Sequence, residues 1–437
     1  MKQNSQVVQV TLTAVACQKL KKVFFFIFLL LVLVSIICGQ TYKTFRSEQK
    51  QITEKARWKI GPFRIYPAIQ FKNIGYDDNV YYQREEDDPA SDFTGTIAPE
   101  IKAYFLFRNT MILSLTESPE YVYYHKQKRE RRLNNTLCPE LKILLFNRFV
   151  ISGSYSHSDR RYRATSEFDV RANTKTTGYR AGFFYETARE TSFGFSGSTR
   201  TIRYEDITLP GEEIYLARAL NREEQNGSFE FYYRAFSRSL FFLRGGYTEY
   251  KFEHVQSRWR NAHSYQVYSG IRLPLLGRAT GTLSLGYKKL VPVEEEREGF
   301  SGLIGDTSLY FRISRFGFRI KYERDCHFSY WTNNIFFKED RYGAGISLYL
   351  TKFLRLDYNF YYGESDYPVA MIVQTPSGTY EELKRKDIHH TQTIGFVFRV
   401  IKNTGIGLMV NFWERESNYY WANRDRMFMG GYITYQF

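Results

Sequence analysis

Methionine, proline and cysteine are scarce in this 437-residue chain, at 6, 11 and 4 residues. Cys17 and Cys38 lie within the first 39 residues, which leaves Cys138 and Cys326 for the rest. Neither a CxxC motif nor any zinc-ligand spacing occurs, so redox dithiols and zinc ribbons are excluded. Two thiols so far apart in sequence are expected to stay unpaired even in an oxidising compartment. The seven histidines match no metal motif. His389 and His390 are adjacent, so on a strand they point to opposite faces and cannot share a metal. His157-Ser158 and His263-Ser264 are the nearest approach to hydrolase machinery, and neither shows a third partner. The chain is therefore read as neither an enzyme nor a cofactor protein. Long apolar runs are scarce too: beyond residues 23–37 none is long enough to cross a bilayer as a helix.

What is present is aromatic and basic. Tyrosine and phenylalanine number 36 and 37, within an aromatic share of 18%. Both favour strands, and an amphipathic ring suits a membrane–water interface. Residues 23–37, VFFFIFLLLVLVSII, follow Lys19, Lys21 and Lys22 and precede Cys38-Gly39-Gln40. A basic flank, a short apolar core and a small residue make residues 1–39 an export signal, with Gly39 as the cleavage position. A lipidated Cys38 and a retained anchor helix are the alternatives. Ile37 disfavours the first, since lipidation needs a small residue there. Removal of residues 1–39 takes away four Lys and no acid, lowering the formal charge from +15 to +11. The remainder stays basic, yet no zinc-finger, RNP-like or helix-turn-helix pattern accompanies the charge, so nucleic acid is not an expected partner. Residues 40–57 carry mixed charge and are read as a short periplasmic segment with a helix, too small for a separate plug domain.

From residue 58 to the end, strands have to do the spanning, and a lipid-exposed sheet must close on itself to pair every backbone group. Period-two alternation is the test. Phe316, Phe318, Ile320 and Tyr322 oppose Gly317, Arg319, Lys321 and Glu323. Leu354, Leu356, Tyr358 and Phe360 oppose Arg355, Asp357 and Asn359, and Ile394, Phe396, Phe398 and Val400 oppose Gly395 and Arg399. Three consecutive ionic positions cannot face lipid, so one face encloses water. Tight turns are expected near Arg108-Asn109, Asn147-Arg148, Ala188-Arg189, Ser237-Arg238, Gly277-Arg278, Arg315, Lys352 and Lys402-Asn403. Long polar loops are expected near 77–92, 125–133, 157–165, 203–222, 253–262, 289–302, 325–340, 363–387 and 415–424. Eight turns and nine loops connect about eighteen strands, sixteen being the alternative, in an all-β, transmembrane, antiparallel up-and-down β-barrel with short periplasmic turns, long outer loops and both termini periplasmic. A soluble β-sandwich alternates likewise, but not with long strands and strictly alternating short and long connections. The alternation is weakest over 63–76, where Pro67 intrudes, and over 165–186. Ile433, Tyr435 and the terminal Phe437 share one face of the last strand and form the expected assembly signal.

Gly75-Tyr76-Asp77-Asp78-Asn79-Val80-Tyr81, Ser91-Asp92-Phe93-Thr94, Ile97-Ala98-Pro99-Glu100 and Leu145-Phe146-Asn147-Arg148-Phe149 resemble the opening of the β-barrel porin 2 family. These motifs cover about 75 residues; elsewhere only the hydrophobic pattern is comparable. The resemblance implies a bacterial outer-membrane barrel, and for some members an association with exopolysaccharide export. It transfers no catalytic or ligand residue.

The functional signal lies on the inward face, where Arg234, Arg244, Arg272, Arg319, Lys321, Arg355 and Arg399 outnumber Glu230, Glu323 and Asp357. A positive wall favours anions, and arginines interleaved with Tyr232, Tyr268, Tyr349 and Tyr361 suit a sugar chain. Arg234, Arg244, Arg272, Arg319, Lys321, Glu323, Arg355, Asp357 and Arg399 are the pore-lining candidates of a channel for polar, anionic or sugar-like solutes, with an exopolysaccharide export pore as a variant. Charges pairing to stiffen the wall is the plainer interpretation. The competing class is a structural or adhesive barrel plugged by loops 203–222 and 363–387. Asp77-Asp78 and the acids at 85–88 are weighed as a Ca²⁺ site and read as a solvated loop. Expected partners are outer-membrane lipid and lipopolysaccharide, the barrel-assembly machinery and components of polysaccharide export.

Overall fold

The computed structural model describes residues 44–436, except 168–170, 188–190, 210–211, 235–238, 274–278, 375–377 and 402. The export signal, Phe437 and the turn centres at Ala188-Arg189, Ser237-Arg238, Gly277-Arg278 and Lys402 lie outside the described residues. No helix among them is long and apolar enough to cross a membrane.

One antiparallel sheet runs the length of the chain and closes. Its strands are β1 Phe63–Asp77, β2 Asp92–Phe107, β3 Met111–Glu117 continued by Glu120–Tyr124, β4 Arg132–Leu145, β5 Phe149–Arg163 and β6 Arg171–Glu186. They continue as β7 Ser192–Tyr204, β8 Arg222–Arg234, β9 Leu240–Phe252, β10 Ala262–Leu273, β11 Ala279–Pro292 and β12 Phe300–Ile313. The last six are β13 Phe316–Phe328, β14 Phe336–Tyr349, β15 Leu354–Asp366, β16 Lys386–Ile401, β17 Thr404–Ser417 and β18 Arg424–Gln436. Each pairs with its sequence neighbours, and β1 pairs with β18, giving a closed eighteen-stranded up-and-down barrel. A three-residue arm, Trp58–Ile60, folds back on the start of β1.

The irregularities have local causes. Ser118-Pro119 interrupts β3, where proline brings no N–H to the ladder. Pro67 is tolerated in β1 because the ladder with β18 begins only at Ala68. A bulge between Phe71 and Ile74, with Asn73 at φ 53°, then restores the alternation that blurs in the sequence. The turn joining β4 to β5 places Phe146 and Asn147 at φ 49° and 60°, the left-handed pair that matches a hairpin's twist.

The outward register is the membrane surface. Phe193, Phe195, Phe241, Leu243, Val267, Leu285, Leu303, Ile346, Phe396 and Leu408 are all exposed on it. Aromatic rings border it at both ends. Phe149 packs on Phe183 and Tyr185, which meets Phe193, with centroids 5.6, 5.0 and 5.4 Å apart. At the opposite border Tyr322, Tyr342, Tyr362 and His390 form a row spaced by 5.2, 6.1 and 5.4 Å. Past Tyr322 the outward positions turn ionic: Arg324 and Lys338 face Asp340, and Lys338 binds Asp366 at 2.8 Å. The apolar band therefore ends there, while the strands continue beyond it.

Short turns and both described chain ends gather at one end of the cylinder, the turn end; nine long connections gather at the other, the loop end. The segments expected as loops at 157–165 and 325–340 are partly strand: β5 runs to Arg163, β13 to Phe328, and β14 begins at Phe336. Polar sequence marks the exit from lipid, whereas the ladder itself keeps pairing in water.

Candidate functional site

Alternation places all nine pore-lining candidates on the inward register. Arg244 stands opposite Glu230 and Tyr268, Arg272 opposite Leu240 and Thr282, and Arg234 opposite Leu240. Arg319 faces Tyr310 and Gly345, Lys321 faces Ser308 and Gly343, and Glu323 faces Asp306 and Arg341. Arg355 lies opposite Tyr349, Asp357 opposite Ser347 and Gly395, and Arg399 opposite Gly405. Register spreads them along the wall. Arg234, Arg272, Arg355 and Arg399 stand near the turn end, and Lys321 and Glu323 lie further in. Several are engaged: Arg355 binds Asp357 at 2.8 Å, Arg319 donates to Asn359 Oδ1 at 2.8 Å, and Arg244 donates to the Tyr232 hydroxyl at 2.9 Å. The plainer interpretation, charges that stiffen the wall, is thus true of part of the set.

A cavity lies closer to the loop end. It is a chamber of about 670 Å³ bordered by Arg163, Arg200, Arg222, Lys288 and Arg341, and by Glu224, Asp325 and Glu339. Tyr204, Tyr250, Tyr361 and Trp413 add aromatic surface. Glu224 is gripped by Arg200 at 2.5 Å and Arg222 at 2.8 Å, Asp325 by Lys288 at 2.8 Å, and Glu339 by Arg341 at 2.7 Å. Five cations meet three carboxylates, so the chamber keeps a positive excess. None of these five cations is among the nine sequence candidates. Each falls in, or within three residues of, a segment read as loop from its polarity; alternation continued past the lipid border was the signal that would have found Arg200, Arg222, Lys288 and Arg341, whereas Arg163 shares the outward parity of Phe149 and Ile151 and reaches Trp413 from the end of its strand.

Two loops meet across the bore beside this chamber. Glu167 follows β5, and Ser329 and Tyr330 follow β13; the two loops stand eight strands apart one way round the barrel and ten the other. They nevertheless meet: Ser329 Oγ and the Tyr330 amide donate to the Glu167 carboxylate at 2.6 and 2.9 Å. Burial pushes the Glu167 carboxyl above its usual range. On the other side Arg260, 1% exposed, donates to the carbonyls of Ser329, Tyr330 and Trp331 at 3.2, 2.7 and 3.3 Å. Its pKa is pushed down to about 10 by the same loss of water. The 205–221 loop adds Leu216 and Leu220, both buried in a cluster that Ala164, Phe328 and Tyr330 join. The 367–385 loop contributes Asn334–Val369 hydrogen bonds of 3.2 and 2.9 Å. Loops 203–222 and 363–387, the plug of the competing reading, thus pack against this bridge, but the contact across the bore is made by Glu167 and Ser329-Tyr330. Sequence alone gave that pair no signal.

The turn end is narrowed differently. Helix α1, Phe45–Lys55, is capped by Thr44, whose hydroxyl accepts from the Ser47 amide. It lies inside the mouth of the barrel, with Phe45 and Ile52 buried against Ile112, Leu144 and Val150 of the inner wall. The Phe45 amide donates to both Glu186 carboxylate oxygens at 3.1 and 3.2 Å. Lys142 binds Glu48 at 2.9 Å, and the Tyr66 hydroxyl donates to the Ile52 carbonyl at 2.6 Å. The sequence expectation of a short helix holds, but the helix is docked within the lumen instead of standing free beside it, because the inner wall is apolar at that level.

The Gly75–Tyr81 motif marks the seam of the barrel. Asp77, 1% exposed, accepts from Arg426 Nε and Nη2 at 2.7 Å each. Asp78 accepts from the Met427 amide at 2.7 Å, and Asn79 donates to the Gln83 and Asp425 carbonyls at 2.8 Å. Gly75 is needed because any Cβ there would strike the Met429 carbonyl. Asp92 accepts from the Lys126 and Gln127 amides. These acids are spent on structure, and no group of three or more potential metal ligands occurs among the described residues. Cys138 and Cys326 are both free thiols. Ile433 and Tyr435 lie on the outward register of β18, opposite Phe71 and Ile69 of β1 respectively.

No curated protein matches the chain. Among solved structures, the outer membrane protein opdK of Pseudomonas aeruginosa is 8% identical over 85% of this chain and 98% of its own, with a TM-score of 0.47. The siderophore receptor PirA of the same organism is 8% identical over 87% and 81%, with a TM-score of 0.45. The model of one family, Putative beta-barrel porin 2, matches residues 55–436, which takes in all eighteen strands. The chain belongs to that family of outer-membrane β-barrel porins.

Proposed function

We propose that this porin passes anionic, sugar-like solutes through a lumen that includes the positively biased chamber, with the loop end outside the cell and both termini in the periplasm. The observation that carries the proposal is the composition of the chamber: five cations against three carboxylates, interleaved with Tyr204, Tyr250, Tyr361 and Trp413. Excess positive charge selects the sign of a permeating solute, and ring faces next to guanidinium groups give a sugar both stacking and hydrogen bonding. An acidic exopolysaccharide is the polymeric case of the same solute class. In planar bilayers under a salt gradient, the purified barrel is expected to give a reversal potential displaced toward the anion. Arg319→Glu/Lys321→Glu, two inward cations away from the buried clusters, is expected to reduce that displacement. A cation-preferring current from folded protein would refute the proposal.

A second reading, a structural or adhesive barrel with no transport role, is favoured by one observation, the Glu167 bridge across the bore. Absence of any current from folded, heat-modifiable protein, with or without the lid contacts, would leave that reading standing.

A further inference from the structure

The segment Ser329–Trp331 is anchored unequally. On its own side of the barrel, Arg260 takes three of its carbonyls and Asn334 exchanges two hydrogen bonds with Val369. Across the bore, Glu167 accepts one hydroxyl and one amide. The nearby stretch Ala164–Glu167 is held to β17 by one more contact, the 3.4 Å hydrogen bond from Arg415 to the Ser166 carbonyl. Beneath the bridge lies the chamber, whose border includes Arg163, Ala164, Thr165 and Ser166 on one side and Phe328 on the other. A loop that ends a strand, borders the chamber and reaches Ser329 and Tyr330 through the Glu167 carboxylate, with Ala164 and Tyr330 packed on one apolar cluster, is placed to move.

We propose that Ala164–Glu167 and Ser329–Ile335 form a gated lid, closed in this structure, that opens when Glu167 releases Ser329 and Tyr330 while Arg260 keeps Ser329–Trp331 on its own wall. The proposal rests on the channel reading for its physiological meaning, but not for its geometry. Closure gives a porin with a positive chamber a way to hold small anions out until a solute or an outer partner displaces the bridge. It also assigns Glu167 a positioning role: the residue touches no solute and acts through the loops.

The test uses full-length protein in detergent, with Cys17→Ser/Cys38→Ser/Cys138→Ser/Cys326→Ala removing the native thiols and Thr391→Cys placing a reporter on the chamber border. A bulky, charged maleimide then reports how often the chamber opens. Glu167→Ala, which abolishes both hydrogen bonds, is expected to accelerate labelling roughly ten-fold or more. Ser329→Ala, which removes one, is expected to give a smaller acceleration, and Glu167→Gln, which keeps an acceptor oxygen, to fall between wild type and Glu167→Ala. Heat-modifiable migration shows which variants are folded; should Glu167→Ala fail, Ser329→Ala decides alone. Equal labelling rates in wild type and folded variants would overturn the lid. Bilayer currents from the same preparations separate the two ideas. Faster labelling without current keeps the lid and removes the channel reading, whereas current with unchanged labelling does the reverse.

Discussion

A carboxylate gripped by both arms of one guanidinium is costly to bury and costlier to orphan. Asp77 and Arg426 stand in that relation at the seam, 349 residues apart in sequence, with Arg171 a further 3.9 Å neighbour. Asp77→Ala leaves Arg426 buried without its partner and is expected to destabilise the barrel by about 3–5 kcal/mol. The measurement is urea unfolding in detergent micelles, followed by heat-dependent gel migration. Asp77→Ala together with Arg426→Leu is expected to recover part of the loss, since removing both charges costs less than stranding one. A single-variant loss below about 1 kcal/mol would place the two side chains in a wetter seam than their 1% and partly buried positions describe. The same residues show what a sequence can and cannot disclose. The Gly75–Tyr81 motif is visible as a pattern, and Asp77-Asp78 invites a calcium reading. Only the closure of β1 on β18 reveals that both acids are committed to strand 18.

At the scale of the element, period two was sufficient to place strands but not to end them. The lipid-facing row of β13 turns ionic after Tyr322, yet the strand pairs with β14 as far as Phe328. Hydropathy reports the border of the membrane and hydrogen bonding reports the border of the strand, and in a barrel with raised walls the two differ. That difference hid the chamber cations, because Arg163 and Arg222 sit on strand ends that polarity assigns to loops, and Arg341 stands one residue beyond such a segment. The docking of α1 was hidden for another reason. Its burial depends on Ile112, Leu144 and Val150, three residues from separate strands that only closure brings beneath the helix. Phe45 and Ile52 are its two buried side chains. Phe45→Ala/Ile52→Ala removes enough apolar contact, at about 2–5 kcal/mol per side chain, to unseat it. Trypsin is then expected to cut at Lys50 and Lys55 at least ten-fold faster, with the barrel remaining heat-modifiable and uncut. Unchanged cleavage would mean that Lys142–Glu48 and the Glu186 contact to the Phe45 amide hold α1 without its apolar face.

Across the whole molecule, the Glu167 bridge and α1 stand at opposite ends of one bore, and on the channel reading a permeating ion meets them in sequence. Two narrow regions in series add their resistances, so relieving one leaves the other in control of the current. The consequence is a specific pattern of non-additivity. If both regions limit flow, Glu167→Ala alone and Phe45→Ala/Ile52→Ala alone each raise single-channel conductance modestly, by about two-fold at most when the two resistances are equal, because the residual constriction still dominates. Combining the three substitutions is expected to raise it by more than the sum of the single gains. Additive gains would mean parallel paths, as when α1 occupies only one side of the mouth above β3, β4 and β5, the strands that carry Ile112, Leu144 and Val150. A full gain from the lid variant alone would make α1 a wall lining with no part in gating. The proposed anion preference separates these cases from damage to the wall: on that proposal it is set by inward cations that neither set of substitutions touches, so the reversal potential should hold while the conductance changes.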